Sequence, residues 1–156
     1  MTAKEELLQY KYAREKVQET LEEYQKYKDR AEKMTSIISD MPRGTSSSDK
    51  VADNAVKMAD LSAEYEKRWL EAEYMKLKIE KNIDLVEEPY RTILYMKYVQ
   101  EKKLEEIAYK LNANYTYICE QHGIALKKYE ENKENRTFPN TTEWKICYYD
   151  IVKKWN

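Results

Sequence analysis

The chain has 156 residues, 42% hydrophobic and 37% charged, with only two glycines and three prolines. So few breakers exclude a turn-rich all-β fold, and a mixture rich in Glu, Lys, Leu and Ala predicts long helices. The formal net charge of −1 excludes the strong basic excess typical of many nucleic-acid binders, so any cationic face must be local.

From Ala3 to Ile38 nothing breaks a helix. Leu7, Tyr10, Arg14, Val17, Leu21, Tyr24, Lys28, Ala31, Thr35 and Ile38 recur in steps of three and four, a heptad seam with polar members at Arg14, Lys28 and Thr35. The polar opening MTAKEELLQY carries no signal-peptide pattern. No apolar run along the chain nears the roughly 18 residues of a membrane span.

The stretch ISDMPRGTSSSDKVAD, Ile38 to Asp53, then interrupts the pattern. Pro42 disfavours helix at Met41, and Gly44 permits a left-handed turn. Ser46 to Ser48 and Asp49 offer side-chain oxygens to cap a following helix. Arg43, at the tip of this break, is a candidate partner contact.

The second long helix is expected from about Asp49 to Val86. Val51, Met58, Leu61, Tyr65, Ala72, Met75, Ile79 and Val86 form its stripe, with Asn54, Arg68 and Asn82 between them and Ala55, Trp69 and Ile83 widening it. Two helices of similar length joined by a short break predict an antiparallel, coiled-coil-like hairpin over residues 1–87.

Pro89 suits the first turn of a new helix. Shorter helices are expected over roughly Tyr90 to Val99, Leu104 to Leu111 and Asn114 to Glu131. Asn112-Ala113-Asn114 reads as a tight turn, because Asn tolerates left-handed backbone. Short helix, tight turn and longer helix make residues 88–131 a helix-turn-helix module. Residues 132–156 read as a linker, NKENRTFPNTT, and a last helix with Trp144, Tyr148, Ile151 and Trp155 on one face. Those four are candidate partner-binding residues, since aromatic anchors are common at interfaces.

The block YRTILYMKYVQEKKLEEIAYKLNANYTYICEQHGIALKKYEE, with its E-E-I-A core at Glu105 to Ala108, resembles region 4 of the bacterial sigma-70 family. The run His122 to Leu126, with SDMPRG at Ser39 to Gly44 and SSSDKVAD at Ser46 to Asp53, is similar to a phage and prophage family described as sigma-like, or as related to ArpU-type late transcription regulators. The resemblance spans roughly Thr35 to Asp60 and Pro89 to Glu131. It implies an all-α fold, DNA binding and control of phage gene expression in the cytoplasm of a bacterial host. Sequence departures accompany it: Lys102 and Lys103 stand where an apolar residue and a Ser or Thr cap are usual, and Asn112 replaces the turn glycine. Residues 87–135 hold eight Lys or Arg and nine Asp or Glu, so the module is not basic.

In a DNA-bound helix-turn-helix the start of the second helix enters the major groove. That exposes Asn114, Tyr115, Thr116, Tyr117, Glu120 and Gln121 to base edges, where Gln can read adenine and Glu can accept from cytosine. Lys102, Lys103, Lys110, Lys127 and Lys128 are the candidate phosphate contacts. The expected partners are promoter duplex DNA and host RNA polymerase, with exposed hairpin faces offering a homodimer surface and no membrane role. An alternative is a phage-encoded binder or inhibitor of a host protein that keeps the helix-turn-helix as a scaffold; a third is a purely structural coiled coil.

Catalytic and metal chemistry find little support. The chain has no P-loop, G-x-S-x-G or H-E-x-x-H pattern, so no enzyme and no cofactor are expected. Cys119 lies three residues before His122, the single histidine, but zinc needs about four ligands and only Cys147 remains as a further thiol. A thiol–imidazole pair is the other chemical reading of Cys119 and His122, whereas the sigma-like resemblance implies a packing position for His122.

Overall fold

A computed structural model describes residues 2–38 and 48–132, with residues 34–38 and 48–50 as helix backbone alone. The fold is all-α, and no strand occurs among the described residues. Its elements are α1 (Ala3–Ile38), α2 (Ser48–Ile83), α3 (Tyr90–Leu94), a π-helical turn (Tyr95–Val99), α4 (Leu104–Lys110) and α5 (Tyr115–Glu131). The interhelical break at 39–47 and everything after Asn132, including Arg43, Cys147, Trp144, Tyr148, Ile151 and Trp155, lie outside the described residues.

A capping box opens α1. The Thr2 N–H donates to Glu5 Oε2 at 2.7 Å, and the Glu5 N–H donates to Thr2 Oγ1 at 3.3 Å. The second long helix ends at Ile83, three residues short of the sequence expectation. The Val86 N–H turns back to the Ile83 carbonyl at 2.9 Å, so Val86 reaches the core from a turn. Pro89 disfavours helical backbone at Glu88, five residues beyond this end, and so separates α2 from the next helix.

The contacts divide the chain into two compact units, Met1–Ala13 with Leu70–Asn156, and Arg14–Trp69. In the first, Ala3, Leu7 and Tyr10 of α1 pack with Ile79 and Ile83 of α2, Leu94, Tyr98 and Val99, and Ala125 and Tyr129 of α5. Each large aliphatic side chain buried here contributes about 1.5–3 kcal/mol. A second cluster joins Ile93 to Ile107 and Ala108 of α4 and Ile118 of α5.

Residues 90–99 depart from the uniform helix that their sequence predicts. Past Leu94 the backbone widens to a π-helical turn. Leu94 and Val99, five residues apart, are buried in one cluster, and Ile93 in the other. An i→i+5 turn brings such pairs toward one side, whereas α-helical geometry rotates them apart. The turn closes with Gln100 N–H to Tyr95 O and Lys102 N–H to Met96 O, both 3.0 Å, and Glu101 takes φ 54°.

In the unit Arg14–Trp69 the seam of α1 differs from the expected one at alternate positions. Val17, Tyr24 and Ala31 are half-buried as expected, but Thr20 and Tyr27 stand inward of Leu21 and Lys28. Thr20 is 2% exposed and Leu21 39%. Hydrogen bonding explains the exchange. The Thr20 hydroxyl donates to the Lys16 carbonyl at 2.9 Å, and Arg68 Nη1 of α2 donates to Thr20 Oγ1 at 2.8 Å. Lys57 Nζ lies 5.6 Å from the Tyr27 ring centroid. Partners 20 with 68 and 27 with 57 run in opposite directions, so the two helices are antiparallel within this unit.

Candidate nucleic-acid interface

The α4–turn–α5 segment is built from local sequence signals. The Lys103 backbone N–H donates to Glu106 Oε2 at 3.1 Å, so Glu106 caps α4 from inside although the N-cap residue is a lysine. Leu111 to Asn114 make the turn, and Asn112 adopts φ 52°, the left-handed geometry that its side chain tolerates. Asn114 then caps α5 by accepting from the Thr116 N–H at 2.9 Å. Ile107 and Ala108 pack on Ile118, which holds α4 against α5.

This packing turns the first residues of α5 outward. Tyr115, Thr116, Tyr117 and Glu120 are exposed, while Gln121 is half-buried. Asn114 is exposed, but its carboxamide oxygen is already engaged as a cap. Tyr109, at the end of α4, is 89% exposed; it had not been singled out in the sequence, although an aromatic directly after the buried pair Ile107-Ala108 must point away from the core.

The lysines divide into two groups. Lys103 and Lys127 are exposed. Lys102, just before α4, brings its ammonium beside that of Lys110, the last residue of α4, and holds the Lys110 pKa below the ordinary lysine value, first through their side-chain contact and then through charge repulsion. Lys128 belongs to the fold instead. It pairs with Glu87, which raises its pKa, and lies 5.1 Å from the Tyr90 ring centroid.

His122 packs inward from α5. Its Nε2 lies 3.0 Å from the Tyr98 hydroxyl, and the two rings stack with centroids 5.7 Å apart. Burial, then Lys97 and Lys4, push the His122 pKa below its ordinary value, and burial lifts the Tyr98 phenol to about 12. Cys119 is half-buried beside Tyr115, whose pKa is raised first by its hydrogen bond to the thiol. Among the described residues no three His, Cys, Asp or Glu side chains come together as a metal site, and no described helix is long and apolar enough to cross a membrane. No family model, curated protein or solved structure matches the chain.

Proposed function

We propose that this protein is a sigma-like DNA-binding transcription regulator of phage or prophage origin, in which α4, the turn and α5 act as a helix-turn-helix. The observation that carries the reading is the outward start of α5, with Tyr115, Thr116, Tyr117 and Glu120 exposed on a helix that α4 braces from behind. In this reading α5 enters the major groove, and Tyr117 and Glu120 meet base edges. Lys102 and Lys110 hold a backbone phosphate, which relieves their mutual repulsion. The protein acts by positioning on a promoter and contacting host RNA polymerase, with no bond-making of its own.

The test is a salt titration of binding to duplexes from the protein's own genomic neighbourhood, with a shuffled duplex alongside. Lys102→Gln with Lys110→Gln reduces the slope of log K against log salt by about 1 per lost phosphate contact, across all sequences. Tyr117→Ala instead narrows the gap between specific and shuffled duplexes. Absence of duplex binding at low salt rejects the reading.

A second reading rests on Tyr109, 89% exposed in a module that also exposes Tyr115 and Tyr117 and has no net positive charge. Tyrosine-rich surfaces suit protein contacts, so a host protein can take the place of DNA. Co-purification of one defined host protein that survives nuclease treatment and is lost with Tyr109→Ala supports it.

A further inference from the structure

Gly123 is one of only two glycines in the chain, and it sits in the middle of α5 on the exposed side. A glycine there lowers helix stability relative to alanine. Nothing among the described residues requires it: its φ is not positive, and a Cβ at this position meets nothing within 4 Å. No neighbour inside the described molecule needs the missing methyl group. What a glycine on an open helix face permits is close approach by something outside.

The residues around it indicate what. At helical spacing the open face of α5 carries Thr116, Glu120, Gly123, Ile124, Lys127 and Glu131. Ile124 is 38% exposed, large for an aliphatic side chain with no described cover. Glu120 and Lys127 stand at equal distances on either side of the Gly123–Ile124 midpoint, about 5 Å each along the axis. Neither is ion-paired among the described residues. A twofold axis through that midpoint, normal to the helix, lays a second α5 antiparallel on the first. It brings each Glu120 opposite the other copy's Lys127, each Ile124 over a Gly123, and each Thr116 opposite a Glu131. The face is self-complementary, the condition for an isologous contact. A nucleic-acid backbone fits it less well, because Glu120 and Glu131 face a phosphate chain with like charge.

We propose that the glycine face of α5 is a homodimer contact, closed by a second copy of the chain through reciprocal Glu120–Lys127 pairs around Gly123. The contact is small, so the dimer is weak, with a Kd on the order of tens of micromolar. It covers the helix assigned above to the major groove, so self-pairing and duplex binding exclude one another. The dimer itself does not depend on that DNA reading.

Sedimentation of the full chain without nucleic acid, from roughly 1 to 300 µM to bracket that Kd, tests the proposal. The wild type passes from monomer to dimer across this range. Glu120→Lys and Lys127→Glu each weaken dimerisation about tenfold or more, because each reversal turns two attractive pairs into two repulsive ones by symmetry. The double reversal restores it, which a loss of folding cannot mimic. Gly123→Ala separates fold from contact: the melting temperature rises by about 2–4 °C while the dimer weakens. A chain that stays monomeric throughout the range overturns the proposal. So does a dimer indifferent to both single reversals, since that places the contact elsewhere on the molecule. A wild type that is monomeric but loses duplex binding in Gly123→Ala assigns the glycine to DNA and likewise overturns it, whereas a dimer without duplex binding removes only the regulatory reading.

Discussion

Single residues carry most of the local decisions in the segment 90–132. Asn112 holds the only turn backbone between α4 and α5 that lies in the left-handed region. Asn112→Gly is expected to stabilise the fold by about 0.5–1 kcal/mol and Asn112→Val to destabilise it by about 1–2 kcal/mol, read from urea midpoints. His122 gives the fold a pH dependence whose sign follows from its burial. Its pKa is lowered in the folded chain from an ordinary value of 6.5, so the unfolded chain takes up a proton first as pH falls. Stability is therefore full above about pH 6.5 and declines below it, until the folded-state pKa is reached. His122→Gln flattens this segment of the pH–stability curve; an unchanged curve places the titration elsewhere. The left-handed turn at Asn112 was legible in the sequence because the preference is a property of one residue. The Tyr98–His122 pair was not, because 24 residues of chain separate its members.

At the level of elements, the boundaries followed local rules wherever a cap or breaker was present. The start of α1, the cap at Asn114 and the start of α4 all rest on side chains within a few residues of the boundary. The seam of α1 did not follow hydropathy. Thr20 occupies an inward position where hydropathy favours Leu21, because its hydroxyl can both donate to Lys16 O and accept from Arg68. Thr20→Val keeps the shape and removes both bonds. It is expected to lower the stability of the unit Arg14–Trp69 by about 1–2 kcal/mol, and Thr20→Ser to recover most of the loss. Native-state hydrogen exchange on α1 and α2 resolves this from global unfolding. The π-helical turn at Tyr95–Val99 was equally invisible to periodicity, since a wider turn is chosen by what its buried pairs must reach and not by residue preference.

At the scale of the whole molecule, the start of the chain and its later helices share one core. Leu7 is fully buried among Ile79, Ile83, Val86 and Tyr129, and Glu6 accepts from the Tyr129 hydroxyl at 3.3 Å, 123 residues away. Leu7→Ala is therefore expected to destabilise by about 2–5 kcal/mol and to loosen α5 together with the start of α1. Fluorescence and amide exchange in α5 should report the loss together with circular dichroism. Separate transitions would show that the two segments unfold independently.

The sequence by itself determined the all-α class, the presence of two long helices and the order of the short ones. Each of these depends on the spacing of apolar residues, on breakers such as Pro89 and on caps within a turn of the boundary. It also placed the exposed start of α5, since burying Ile118, Ala125 and Tyr129 turns Thr116, Tyr117 and Glu120 outward. Only the tertiary structure decided which lysines remain available: Lys128 is taken up by Glu87, 41 residues away, and Lys110 is left beside Lys102. It alone showed that nothing among the described residues packs against Gly123, because packing is a property of space around a residue. A pattern along one chain records which face of a helix is apolar; what lies across that face is set by residues far away in sequence.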